Sequence, residues 1–269
     1  MGGVPMEFLR IDDVLLHYRR DGTPGGKRLV FLNSLGTDHR IWDAVLPQLP
    51  PGCDILRYDK RGHGLSEATP APYTIAGHAS DILGLMDALG WQDATFIGIS
   101  VGGMIAQEIA VTAPERVVSL VLCDTAAKIG TAEMWNGRIQ AIEADGLASI
   151  GAAVITRWFT AGFAAANPDA VAGWRLMLER TPVAGYAGTC AAIRDADLTD
   201  AVPRITAPTL CLVGDDDQST PPDLVRDTAG RIPGARFEII ESAGHLPCIE
   251  QPQILAGLIE IFLKEPVDG

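Results

Sequence analysis

The chain has 269 residues, enough for one large domain or two small ones and ample to bury a core. Its 34 Asp and Glu against 21 Lys and Arg leave a formal charge of −13, and 47% of its residues are hydrophobic, which excludes a disordered chain. So acidic a surface repels nucleic-acid phosphates and anionic lipid, and no Lys/Arg run offsets it, so neither is expected as a partner.

Five cysteines, Cys53, Cys123, Cys190, Cys211 and Cys248, are scattered, odd in number and include no C-x-x-C pair, which points to neither a disulfide framework nor a zinc site. The apolar stretch Leu147–Ile155 is closed by Thr156 and Arg157, well short of the ~20 residues that span a bilayer. Met1–Glu7 has no basic segment leading into an apolar one, so a cytoplasmic location is the expectation.

Two β-rich runs, Glu7–Arg10 and Val14–Arg19, flank Asp12 and Asp13 and read as a hairpin. Short apolar runs then alternate with amphipathic stretches. They are Leu29–Leu32, a helix near Ile41–Leu49, Ile55–Tyr58, a helix Ile75–Leu89, Ala94–Ile97, a helix Met104–Val111 and Val117–Leu122. This rhythm predicts an α/β fold, a mostly parallel sheet with helices on both faces. It resumes with Thr209–Val213, a helix from Asp223, Phe237–Ile240 and a last helix Gln253–Leu263. Between them, the strand signal vanishes. Residues 125–200 are Ala-rich, close to charge balance, and hold Trp135, Trp158 and Trp174, three of the five tryptophans. The expected organisation is therefore a sheet domain of residues 1–124 and 201–269 with a helical cap of 125–200 inserted in it, suited to receive a small anionic ligand.

After the strand ending at Ile97 comes Gly98-Ile99-Ser100-Val101-Gly102-Gly103, followed at once by a helix, which is G-x-S-x-G in strand–turn–helix context. The spacing has a chemical reason. A tight, strained turn holds the Ser100 hydroxyl out of the fold, and Gly98 and Gly102 remove the side chains that would collide where strand and helix cross. The helix beginning there offers free backbone N–H groups beside the position where an oxyanion would form. Val101 would supply one. The second is expected from the loop after the first inner strand, Asn33-Ser34-Leu35-Gly36-Thr37-Asp38, through the N–H of Leu35.

A serine hydroxyl needs a base and an orienting carboxylate, and in sheets of this type the order is Ser, acid, His. His17, His39, His63 and His78 precede Ser100; only His245 follows it, in a loop after a predicted strand. Spacing leaves the acid open among Asp215, Asp216 and Asp217 after Thr209–Val213, with Asp124 as another position within reach. The aspartate cluster lacks the glycine and distant glutamate of a calcium loop. Gly22–Arg28 has the wrong spacing for a phosphate loop and precedes a strand, and neither H-E-x-x-H nor G-x-G-x-x-G occurs, so no metal and no cofactor is expected.

These residues resemble the α/β-hydrolase superfamily and, within it, the 3-oxoadipate enol-lactonases, over nearly the whole chain. General signals are Tyr58-Asp59-Lys60-Arg61-Gly62-His63-Gly64-Leu65-Ser66 and the Ser100 turn. More specific are the segments 33–38 with Trp42-Asp43, 122–130, Arg157-Trp158-Phe159-Thr160 and Gly185–Asp195. The resemblance implies an eight-stranded α/β-hydrolase fold with a cap. It places the acid on Asp217, and puts Val101 where the family often has Met. It also implies a cytoplasmic, cofactor-free enzyme of aromatic-acid catabolism acting on a small anionic lactone, with Arg138 beside Trp135 expected at the substrate carboxylate and Trp158 as an apolar wall. A broader esterase or a carbon–carbon bond hydrolase would share the triad, and a ligand-binding protein on the same fold would retain it without turnover.

Overall fold

Strands buried on both faces must be apolar along their length, and this dictates the centre of the sheet. In the computed structural model, which describes residues 7–264, β4 (Cys53–Tyr58), β5 (Ala94–Ile99) and β7 (Thr209–Gly214) are buried at every position. Met1–Met6, most of the N-terminal segment read for a targeting signal, and the last five residues of the expected sheet domain lie outside the described residues. With β1 (Glu7–Ile11), β2 (Val14–Gly22), β3 (Lys27–Leu32), β6 (Val117–Cys123) and β8 (Arg236–Ile240), these strands form one eight-stranded sheet in the order β1-β2-β4-β3-β5-β6-β7-β8. The first two pairings, β1 with β2 and β2 with β4, are antiparallel, and all the others are parallel.

Strand order reverses at β3. The chain leaving β3 moves to one side, to β4, and the chain leaving β5 moves to the other, to β6. A crevice therefore opens at the carboxyl ends of β3 and β5, where open α/β sheets bind ligands. Leu32 pairs with Gly98, so the loops after these strands, bearing Leu35 and Ser100, start side by side. A separate depression lies at the opposite edge, where β3, β5 and β6 begin, lined by residues such as Lys27, Arg28, Asp93 and Phe262.

Buried polar contacts pin the loop after β3. Asn33 donates its side-chain N–H to the Tyr58 carbonyl at 2.7 Å and accepts the Trp42 indole N–H at 2.9 Å. The Asp59 carboxylate accepts from the His17 and His39 rings at 2.8 and 3.0 Å and from the backbone N–H groups of His39 and Leu65, both at 2.9 Å. Burial alone would raise the Asp59 pKa, but the two imidazole hydrogen bonds, the charge of His39 and the Leu65 N–H outweigh it and hold the carboxyl far below its usual range.

The helix expected near Ile41–Leu49 is absent, replaced by two 3₁₀ turns, His39–Trp42 and Leu46–Gln48. Pro47 explains the break: it has no N–H to bond, and in an α-helix its ring would meet the Asp43 carbonyl. The Asp38 side chain accepts the Arg40 N–H and ends the first turn's fraying. The other helices stand where the sequence pattern puts them, α1 at Ile75–Ala88 and α2 at Val101–Thr112. Between β6 and β7 come α3 (Ala132–Asp145), α4 (Ala148–Trp158), α5 (Ala161–Ala166), α6 (Pro168–Glu179) and α7 (Val183–Asp195). The chain closes with α8 (Pro222–Arg231), α9 (Pro247–Glu250) and α10 (Pro252–Lys264). Among the described residues no helix is long and apolar enough to cross a membrane.

Asp59→Asn is expected to lower stability at pH 7 by about 3 kcal/mol, because it leaves two buried imidazoles without their carboxylate. A depressed carboxyl pKa contributes stability above the unfolded value of about 3.9 that is lost as pH falls, so urea unfolding at pH 7 and pH 3 should show the two proteins converging in acid.

Candidate active site

Ser100 sits between β5 and α2 with φ 58° and ψ −123°, a conformation that L-residues rarely adopt. Its neighbours hold it there. The Ser100 N–H donates to the Cys123 carbonyl at 3.0 Å, and the Ser100 carbonyl accepts the Thr125 hydroxyl at 2.6 Å and the Gly103 N–H at 2.9 Å. A Cβ at Gly98 would strike the Gly102 carbonyl, and one at Gly102 would strike the Leu32 carbonyl, so strand and helix cross only because both side chains are missing. Val101, the first residue of α2, has no acceptor one turn earlier for its N–H.

The loops after β7 and β8 bring Asp217 and His245 together. His245 Nδ1 lies 2.9 Å from Asp217 Oδ2, and both residues are 3% exposed. Asp217 also accepts the Ser219 and Thr220 N–H groups at 2.7 and 3.1 Å and the Thr220 hydroxyl at 2.6 Å. Burial pushes its pKa up, but the charge and hydrogen bond of His245, with the Thr220 and Ser219 donors, prevail and keep it an anion. An ionised carboxylate at Nδ1 fixes the tautomer, leaving Nε2 as the basic nitrogen. Asp215 and Asp216 are exposed, and Asp215 spends one oxygen on the Ala243 N–H. Glu250 braces the histidine loop, accepting from the Gly244 N–H at 2.6 Å and from the Thr160 N–H and hydroxyl at 2.9 and 2.8 Å.

Asp124, at the end of β6, is fully buried and lies beside Asp217 and His245. Its Oδ1 accepts the Gly214 N–H at 2.9 Å, while Oδ2 has no geometric hydrogen-bond partner among the described residues. Burial, reinforced by the neighbouring Asp217 charge, drives its carboxyl well above the usual range, so it is the protonated member of the pair. This cluster and the one formed by His17, His39 and Asp59 bring oxygen and nitrogen atoms close enough to hold a metal ion. In both, however, imidazole Nδ1 is already bonded to the carboxylate, the chemistry of a hydrogen-bond network rather than of a ligand set.

One cavity joins these parts. Ser34, Leu35, Ser100, Ser219 and His245 line it from the sheet's carboxyl edge. Trp135 and Arg138 of α3, Arg157 and Trp158 of α4, and Tyr186 and Ile193 of α7 line it from above. The Ser100 hydroxyl makes no hydrogen bond among the described residues. Of the residues expected at the site, Leu35, Ser100, Trp135, Arg138, Trp158 and His245 line this space, Val101 and Asp217 abut it through Ser100 and His245, and Asp124, Asp215 and Asp216 are not among its lining residues. Trp174 is not part of it. The sequence reading missed Arg157 and Tyr186. Both lie in segments that carry the family resemblance, but nothing in the spacing shows that their side chains reach one cavity. Arg138 stacks over the Trp135 ring at 5.0 Å, and neither it nor Arg157 has a carboxylate partner among the described residues.

A family profile described as the alpha/beta hydrolase fold matches residues 27–252. The chain is 35% identical over 258 residues to 3-oxoadipate enol-lactonase 2 of Acinetobacter baylyi, covering 96% of each. It is also 35% identical to 3-oxoadipate enol-lactonase 1 of the same organism, over 91% of each. Among solved structures, the enol-lactonase of Burkholderia xenovorans LB400 superposes with a TM-score of 0.94 at 37% identity, covering 96% of this chain and all of that one.

A carboxyl whose pKa is raised by folding adds full stability only below its unfolded value of about 3.9 and loses it as pH rises toward the folded value. Asp124→Asn removes that penalty while keeping an acceptor for the Gly214 N–H. The variant should therefore be the more stable protein at pH 8 and lose its advantage toward pH 4, read by thermal unfolding across that range.

Proposed function

Because the chain belongs to the alpha/beta-hydrolase family and is a carboxylic-ester hydrolase by likeness along nearly its whole length to enol-lactonases, we propose that it opens the ring of 3-oxoadipate enol-lactone with Ser100 as nucleophile. The observation that supports this most is the buried hydrogen bond between His245 and Asp217 beside the cavity that Ser100 lines. His245 Nε2 takes the Ser100 proton as Oγ attacks the lactone carbonyl, and Asp217 stabilises the imidazolium. The developing oxyanion is met by the N–H groups of Leu35 and Val101. When the tetrahedral intermediate collapses, the ring C–O bond breaks and the enol oxygen leaves, protonated by His245. It is a better leaving group than an ordinary alkoxide and stays tethered to the acyl chain. Water, deprotonated by His245, then releases the acid from Ser100, and the enol tautomerises to 3-oxoadipate.

The helices α3 to α7 act as the cap over this chemistry, and residues 125–200 are its extent. The substrate keeps a free carboxylate, and Arg138 and Arg157 are cations at the cavity without acidic partners among the described residues. Trp135 and Trp158 supply the apolar walls between them and the nucleophile. An anionic small molecule is thus drawn to a local positive site on a chain of net charge −13. The protein works as a water-borne enzyme of aromatic-acid catabolism in the cytoplasm, with no cofactor in the scheme.

Purified protein given the enol-lactone should show catalysed loss of its conjugated absorbance. Ser100→Ala and His245→Ala should each reduce kcat by about 10⁴-fold or more, and Asp217→Asn by about 10⁴-fold. Turnover of simple aryl esters without the lactone would identify a broader esterase instead, and tight binding without turnover a receptor. Arg138→Met and Arg157→Met should each raise KM for the lactone about tenfold or more, since a hydrogen bond between charged groups contributes about 1.5–3 kcal/mol, and leave hydrolysis of uncharged phenyl acetate nearly untouched.

A further inference from the structure

Lys60 is a buried cation to which the mechanism above gives no role. It is 2% exposed, and its ammonium donates to the Ser34 carbonyl at 2.5 Å and to the Thr37 carbonyl at 3.4 Å. The Ser34 carbonyl also accepts the Thr37 hydroxyl at 2.9 Å and the Thr37 N–H at 3.3 Å. Three donors therefore converge on one oxygen. The Ser34 carbonyl and the Leu35 N–H are opposite ends of a single planar amide, so holding the oxygen also sets the direction of the N–H. A cation at the oxygen draws electron density toward it and leaves the N–H more positive. That N–H donates to no acceptor among the described residues, and Leu35 lines the cavity beside Ser100.

Resting on the serine-hydrolase reading, we propose that Lys60 is a positioning residue for the oxyanion: its ammonium orients and polarises the Ser34–Leu35 peptide so that the Leu35 N–H becomes a stronger donor in the transition state. The surroundings suit a cation there. Asp38, on the same loop, and Asp59, its chain neighbour, favour the charge, and both are already engaged, Asp38 by Arg40 and Asp59 by His17 and His39. Arg61 is turned away to Asp81 and Asp13. His63 and, from α1, His78 are held neutral, chiefly by burial and then by the Lys60 charge, and Tyr186 of α7, stacked on His63, stays neutral by burial. Burial brings the Lys60 ammonium down to about 7 against the pull of Asp59 and Asp38. Loss of its proton leaves a hydrogen bond without a charge, so kcat falls as pH rises past this value.

The test is the pH profile of kcat for phenyl acetate in wild type, Lys60→Gln, Lys60→Arg and Thr37→Val, with thermal unfolding to confirm folding. Lys60→Gln, a neutral donor, should lose about 10- to 100-fold in kcat at pH 6.5, less than the cost of removing an oxyanion donor outright, with KM within about threefold and no descending alkaline limb. Lys60→Arg, charged at every pH, should restore most of kcat and also lack that limb, and it decides the matter if the glutamine variant does not fold. Thr37→Val, which removes an uncharged donor from the same carbonyl, should lower kcat less and keep the limb. A folded Lys60→Gln with wild-type kcat, or a limb that persists in Lys60→Arg, would overturn the role of Lys60 alone. A wild-type protein that turns over neither phenyl acetate nor the lactone would overturn the serine-hydrolase reading and this role with it.

Discussion

At one point in this protein a helix and a strand pass so close that no side chain fits between them. Gly98 and Gly102 make that crossing, and the backbone of Ser100 is bent into a positive φ to complete it. The strain is held by bonds to Cys123 and Thr125 on β6 and just beyond it, so the sheet itself supplies the restoring force. Because the crossing occurs where strand order reverses, the loop after β3 arrives beside it with its own backbone N–H unspent. Position, conformation and electrostatics at Ser100 all follow from this packing, and the helices α3 to α7 have no part in it.

Much of this was written in the sequence, for reasons that differ from element to element. β4, β5 and β7 are readable because strands covered on both sides tolerate only apolar residues, and Ser100 because its turn demands glycine at fixed spacing. His245 followed from chain order. The segment Ile41–Leu49 has a helical period but forms no α-helix, because Pro47 splits it into two short turns. Asp217 could not be told from Asp215 and Asp216 by spacing, since what distinguishes it is burial and the donors around it, which are properties of three dimensions. Arg157 and Lys60 lie in segments that carry the family resemblance, but their placement is not legible there, because an arginine at a cavity and a lysine beneath a loop look in sequence like any surface cation.

Charge is distributed with the same economy. Three of the buried carboxylates fall into two states, Asp59 and Asp217 as anions with four donors each, and Asp124 as an acid with one. Neighbouring charge and hydrogen bonding together decide which state each adopts, since all three are shielded from water. The proton on Asp124 lets a second carboxyl lie against the Asp217–His245 pair without adding a second negative charge to it.

The proposed reacting groups and the walls of the cavity come from separate parts of the chain. Ser100, Asp217 and His245 stand on loops of the sheet, while Trp135, Arg138, Arg157, Trp158 and Tyr186 stand on helices inserted between two strands. Drift in the inserted helices can therefore exchange one guest molecule for another while the bond-breaking apparatus stays intact, and selection can retune such an enzyme by altering few positions, none of which supports the sheet.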